Sequence, residues 1–133
     1  MSPEVIVRKI SKMMQYLGDL LPYRESKFES FLKDRYKVER IIELLVMTAS
    51  DISFHLLSNR GEPAPGSYRA AFLRLGEMEI ISGELSRDLA LGAGLRNILV
   101  HDYEEIDYPL LHSSIPQIID DMTKFIEAAS KWV

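Results

Sequence analysis

The feature that most limits what this chain can become is a run of apolar residues between positions 38 and 56. Val38, Ile41, Ile42, Leu45, Ala49, Ile52 and Leu56 recur at i, i+3, i+4, i+7, i+11, i+14 and i+18, the spacing of a helix with one face in a core. A seam about five turns long cannot be laid on a strand, which sends successive residues to opposite faces. No sustained alternating run bounded by Asn-Gly or Gly-Gly turns competes with it elsewhere in the chain. The sequence therefore predicts an all-α protein.

Leu44, Met47, Phe54 and Leu57 widen that stripe beyond what one neighbour would cover. The helix, expected over 26–58, is thus central in a bundle, part of a subunit interface, or both. A first helix is expected from Pro3, just after Ser2, to about Leu21, with Val5, Ile6, Ile10, Met13, Met14 and Leu17 inward and Pro22 as its stop. Residues 59–66, Asn-Arg-Gly-Glu-Pro-Ala-Pro-Gly, read as a loop. Ser67 is placed to cap a third helix through Ala71, Phe72, Leu75 and Met78, and a fourth is expected over 84–101. Asp107 is placed to cap a last helix with Pro109 in its first turn and Ile115, Ile118, Ile119, Met122 and Phe125 inward. Gly92 and Gly94 each cost about 1 kcal/mol of helix propensity against alanine, which implies a break or, preferably, a close helix contact. Pro116 implies a kink or a later start to the last helix. The short connections favour an antiparallel up-and-down bundle of four to five helices, in one domain spanning 1–133.

Composition narrows the chemistry. The chain has no cysteine, which removes disulfides, thiolate nucleophiles and cysteine-bound zinc. The opening MSPEVIVRKISKMM lacks the apolar core of a signal peptide, and no run approaches the roughly 20 apolar residues of a membrane span, so a cytoplasmic protein with no membrane association is expected. A net charge of −4 argues against a general nucleic-acid coat. Arg24, Lys27, Lys33, Arg35, Lys37 and Arg40 nevertheless cluster in sequence, as a local basic patch or as a solvated helix face.

The stretch RNILVHDY, residues 96–103, sets an arginine, a histidine and a tyrosine along two turns of an otherwise apolar helix. Asn97 lies one turn below His101, whereas Arg96 and His101 are about 140° apart around the axis and flank a common cleft. A guanidinium can hold a phosphate bidentately, and an imidazole can move a proton near neutral pH. Such a pair suits cleavage of RNA by attack of the ribose 2′-hydroxyl on the adjacent phosphorus, with no metal or other cofactor required. On spacing alone the signal is weak, since an Arg and a His five apart arise often by chance.

The wider segment GLRNILVHDYEEID resembles the signature of the HepT family of small all-α toxins in the HEPN superfamily, Arg, four residues, His, one residue, Tyr. YKVERIIELL, ASDISFHLL and GEPAPGSYRAAFLRLGE are similar to the family's second and third helices. The resemblance implies a metal-independent endoribonuclease toxin, a homodimer with its cleft between protomers, and Arg96 and His101 as catalytic residues. It implies an MntA-like nucleotidyltransferase antitoxin as partner, which neutralises the toxin by adenylylating Tyr103. It also points to an acidic or amide residue and a basic one four positions on, on an earlier helix; Asp51 and His55 have that spacing. Asp51 is a candidate to orient Arg96 or His101, against a pair with a surface arginine or simple exposure. His55, among Phe54, Leu56 and Leu57, reads as structural, as does His112, and Asn97 as a contact to substrate or to His101. A second function class, a non-catalytic helical partner or nucleotide-binding module of a nucleotidyltransferase, remains open.

Overall fold

The structure, a computed structural model, describes residues 3–133, so Ser2, expected to precede the first helix, lies outside the described residues. The chain forms α1 (Pro3–Leu20), a 3-10 turn (Leu21–Tyr23), α2 (Phe28–Lys33), α3 (Arg35–Ser58), α4 (Tyr68–Glu77), α5 (Gly83–His101), a second 3-10 turn (Tyr103–Glu105) and α6 (Tyr108–Ser130). There is no strand among the described residues, and the all-α bundle is as the periodicity predicts.

The seam helix is α3, and it is central. Val38, Ile42, Leu45, Ala49 and Ile52 are fully buried, and α3 packs against α1, α2, α4, α5 and α6. The surplus of its stripe is largely absorbed within the chain: Leu57 is buried, and Leu44, Met47 and Phe54 are half-buried. By length and a mean hydropathy of 1.4 over its most apolar window α3 is long and apolar enough to cross a membrane. Burial among five neighbouring helices accounts for that apolarity without one.

One difference from expectation concerns its start. The helix expected over 26–58 is two, broken at Asp34, whose backbone (φ −106°, ψ 17°) leaves the helical region and whose carboxylate accepts a 2.7 Å hydrogen bond from the Tyr23 hydroxyl. The break lets α2 lean on α6, where Phe28 and Phe31 pack against the His112 ring at 5.6 and 5.1 Å. Apolar spacing alone cannot show such a break, because both pieces keep the same period. On α1, Ile6 and Met13 are buried and Ile10 and Leu17 half-buried as expected, but Met14, expected inward, is exposed.

The caps behave as their residue types dictate. The Ser67 hydroxyl accepts from the Ala70 amide at 3.0 Å, Ser82 from Leu85 at 3.1 Å and Asp107 from Leu110 at 3.0 Å, each meeting an amide the helix cannot pair internally. Helix α6 begins at Tyr108, so Pro116 lies inside it and is not its start. Between α4 and α5, Glu79 takes a left-handed φ of 59° and the buried Ile80 and Ile81 fill the corner.

The close helix contact expected at Gly92 or Gly94 is made elsewhere. Helix α5 runs unbroken through both, and a methyl group added at either would meet nothing within 4 Å. At Gly76 of α4, by contrast, it would land on Oγ and Cβ of Ser86, whose hydroxyl donates to the Phe72 carbonyl across the crossing at 2.9 Å. Gly76→Ala is expected to destabilise the fold by about 1–3 kcal/mol, the usual cost of overpacking. Gly92→Ala should stabilise it by about 0.5–1 kcal/mol through helix propensity. Urea melts of the two variants beside the parent measure both, and equal effects would show that the α4–α5 crossing does not depend on close approach at Gly76.

Candidate functional site

Helix α5 ends at Asp102, whose amide still donates to the Ile98 carbonyl at 2.9 Å but whose own backbone (φ −122°, ψ 38°) leaves the helix. The Glu105 amide then donates to the Asp102 carbonyl at 2.9 Å and closes the 3-10 turn. This ending places His101, Asp102, Tyr103, Glu104 and Glu105 around one shallow cup of about 290 Å³. His101 is exposed, and Tyr103 is 64% exposed. Three of the five side chains around the cup are carboxylates, Asp102, Glu104 and Glu105.

Arg96 does not line that cup. It is half-buried further back on α5, with its guanidinium carbon 4.9 Å from the ring centroid of Tyr68, the first residue of α4. The Tyr68 ring is in turn 6.2 Å from that of Phe54 on α3. Arg96 Nη1 donates a long 3.4 Å hydrogen bond to Asn97 Oδ1, and its Nε is buried without a hydrogen-bond partner. A single chain therefore brings His101 and Tyr103 together and holds Arg96 apart from them, with Asn97 beside Arg96.

The other candidates are placed as follows. Asp51 accepts from Lys9 of α1 at 3.3 Å, a link between α1 and α3, and shows no bond to Arg96 or His101. His55, one turn on, is half-buried, and burial, helped by the Lys9 charge, lowers its pKa. A group so placed tends to stay neutral, in keeping with a structural role. The Nε2 atom of His112 lies 2.7 Å from the Ser26 carbonyl, between α2 and α6. The Tyr108 hydroxyl donates to Glu39 at 3.0 Å and ties α6 to α3. Four of the six residues of the basic cluster are engaged by neighbours in the chain, although Lys37 and Arg40 stay exposed. Arg24 pairs with Asp120 at 2.9 Å and Arg40 with Glu43 at 2.9 Å, Arg35 donates to the Leu32 carbonyl, and Lys37 sits over the Tyr23 ring. Tyr68 had no signal in the sequence, since nothing in the spacing links the start of α4 to the end of α5.

Beside the cup, between α5 and α6, an open apolar groove of about 520 Å³ carries Leu91, Ile98 and Leu110 on its walls, exposed to 70%, 41% and 61%. Gly92 and Gly94 leave it bare, and Glu105 borders both groove and cup. At its base Asp121 is buried, and Gln117 Nε2 donates to it at 2.7 Å. Burial pushes the Asp121 carboxyl above its ordinary value; the Gln117 hydrogen bond acts the other way and the Asp88 charge adds to the rise. Among the described residues no group of three or more His, Asp or Glu is arranged to hold a metal ion.

Comparison with known proteins places these features in a family. The family described as "Ribonuclease HepT-like" matches residues 9–129. A tRNA nuclease HepT of Aphanizomenon flos-aquae is 31% identical over 108 residues, covering 79% of this chain and 74% of the relative. An mRNA nuclease HepT of Shewanella oneidensis is 28% identical over 124 residues, 92% of this chain and 88% of the relative. Among solved structures, a tri-AMPylated Shewanella oneidensis HEPN toxin in complex with MNT antitoxin superposes with a TM-score of 0.87 at 24% identity, over 98% of this chain and 99% of that one.

Asp121 gives a test of the groove. A raised pKa in the folded protein means that the folded form holds the proton more tightly than the unfolded chain does. Its contribution to stability therefore grows as pH falls through the folded pKa and is lost above it. Asp121→Asn keeps the shape and the partner of Gln117 without the charge. It is expected to raise the melting temperature at pH 7 by a few degrees, on the order of 1 kcal/mol, with the gap closing on acidification. A gap independent of pH would show that the Asp121 charge is not what costs stability.

Proposed function

The chain belongs to the HepT-like ribonuclease family, and from that premise we propose that it is a metal-independent endoribonuclease toxin acting through Arg96 and His101 and silenced by adenylylation of Tyr103. The observation that carries the proposal is that the end of α5 presents His101 and Tyr103 together in one open cup, with Arg96 on the same helix. His101, as general base, takes the proton of a ribose 2′-hydroxyl, and the freed oxygen attacks the adjacent phosphorus. Arg96 stabilises the charge that builds on the phosphoryl oxygens. The bond to the 5′-oxygen of the next nucleotide breaks and that oxygen takes up a proton, leaving a 2′,3′-cyclic phosphate and a 5′-hydroxyl. Residues 1–133 act in this reading as one domain, supported by a core cluster that draws on every α-helix of the chain, and the place of action is the cytoplasm.

Control by a partner fits the same geometry. The solved relatives include toxins bound to MNT or MntA antitoxins, one of them tri-AMPylated. In this chain the partner is an MntA-like nucleotidyltransferase: the Tyr103 hydroxyl attacks the α-phosphorus of a nucleoside triphosphate and pyrophosphate departs. Tyr103 is exposed enough for an enzyme to reach. The added phosphate sits beside Asp102, Glu104 and Glu105, where it adds to their negative charge and repels the RNA backbone.

A second copy of the chain completes the cleft. Arg96 and His101 diverge on one helix, and the apolar groove with Leu91, Ile98 and Leu110 borders the cup through Glu105. Packing this face on its counterpart across a two-fold axis covers the groove and brings two copies of the motif together. The protein is thus expected to be a dimer at micromolar concentration, and Leu91→Glu with Leu110→Glu to be monomeric by light scattering with cleavage lost in parallel. A monomeric parent that still cuts RNA would exclude the shared cleft.

The direct experiment is cleavage of total RNA by demonstrably unmodified protein in EDTA, with product ends analysed. Cyclic phosphate ends are expected, with His101→Ala slower by about 10²–10⁴-fold, the usual span of general-base catalysis, at an unchanged melting temperature. Intact RNA from the unmodified parent would transfer the reading to a non-catalytic partner of a nucleotidyltransferase.

A further inference from the structure

An arginine that engages phosphate has to be held in place without being neutralised. The common device, a carboxylate paired with the guanidinium, orients it but occupies the same donors that a phosphate needs. Among the described residues no such carboxylate pairs with Arg96. The one hydrogen bond from its guanidinium goes to the neutral Asn97 amide oxygen at 3.4 Å, and its Nε is buried without a partner.

What Arg96 has is an aromatic face. Its guanidinium carbon lies 4.9 Å from the Tyr68 ring centroid, within the range where the ring quadrupole attracts a cation. The ring itself is supported. Phe54 of the central helix packs against it at 6.2 Å with a 58° tilt. The Ser67 cap fixes where α4 begins, and hence where its first residue, Tyr68, projects. The loop before it is clasped to α4 by Arg74, whose guanidinium donates to both carboxylate oxygens of Glu62 at 2.8 and 3.2 Å.

We propose that Tyr68 is a positioning residue for Arg96: its ring, backed by Phe54, sets where the guanidinium lies while leaving its charge unpaired and its Nη2 donors, together with the Nη1 donor not given to Asn97, free for the scissile phosphate. The assignment rests on the reading of Arg96 as the phosphate-binding residue. It is the ring face that matters, because the contact is with the π-system and not with the hydroxyl.

The test is steady-state cleavage of total RNA by unmodified Tyr68→Phe, Tyr68→Leu, Arg96→Ala and the double variant Tyr68→Leu/Arg96→Ala, each with a thermal melt. Tyr68→Phe is expected to keep kcat within about twofold, and Tyr68→Leu to lower kcat on the order of tenfold with a smaller change in KM. In the double variant Tyr68→Leu should add nothing to Arg96→Ala, because a residue acting through Arg96 has no effect once Arg96 is gone. That non-additivity, with the recovery in Tyr68→Phe, would not follow from a general loss of packing. Wild-type kcat in Tyr68→Leu beside an inactive Arg96→Ala overturns the role of Tyr68 and leaves the ribonuclease site standing. Full cleavage by Arg96→Ala overturns the role of Arg96 and, with it, that of Tyr68.

Discussion

Burial of α3 is the constraint on which the other elements depend. Val38, Ile42, Leu45, Val46, Ala49, Ile52, Leu56 and Leu57 sit at or near zero exposure, and the five other α-helices all pack against this one. Truncating a large aliphatic side chain in such a position typically costs about 2–5 kcal/mol, a large part of a domain's total stability. The seam therefore does more than mark a helix. It holds α1, α4, α5 and α6 in fixed relation, and that relation decides which side chains from separate helices can meet.

The consequence for function is clearest at α5. Its first half is packed through Leu85, Ser86, Leu89, Ala90 and Ala93, whereas its last turn carries exposed Asn97, Ile98 and His101. The helix is anchored at one end and open at the other, so a polar motif costs little where it sits. Tyr68, packed against Phe54 of the central helix, carries the core one step toward that open end by lying against Arg96. Among the described residues none packs against His101 or Tyr103 in the way Tyr68 packs against Arg96, and in the proposed site that support falls to a second copy and to a modifying partner.

Much of the fold was legible because its signals are local. Ser67, Ser82 and Asp107 cap helices through contacts only three residues away, and the period of α3 and α6 is carried by neighbouring turns. The break at Asp34 was not legible, since what accompanies it is distant in sequence: the Tyr23 hydroxyl, eleven positions earlier, on the Asp34 carboxylate, and the packing of α2 on α6. The glycines were misjudged for a related reason. Propensity shows that a glycine costs a helix something, but only the crossing of α4 and α5 shows that Gly76 is the one with Ser86 against it, while Gly92 and Gly94 face open space.

The sequence by itself determined that the chain is helical, where the caps lie, and that Arg96, His101 and Tyr103 share the family's spacing, because period and motif are properties of residues close together along the chain. Only the tertiary structure decided that His101 and Tyr103 share a cup while Arg96 lies against Tyr68, that Asp51 answers Lys9, and that the exposed Leu91, Ile98 and Leu110 of α5 and α6 line one apolar groove. Those outcomes depend on which helix faces cover one another, a choice made by the packing of the whole core and written in no single stretch of residues.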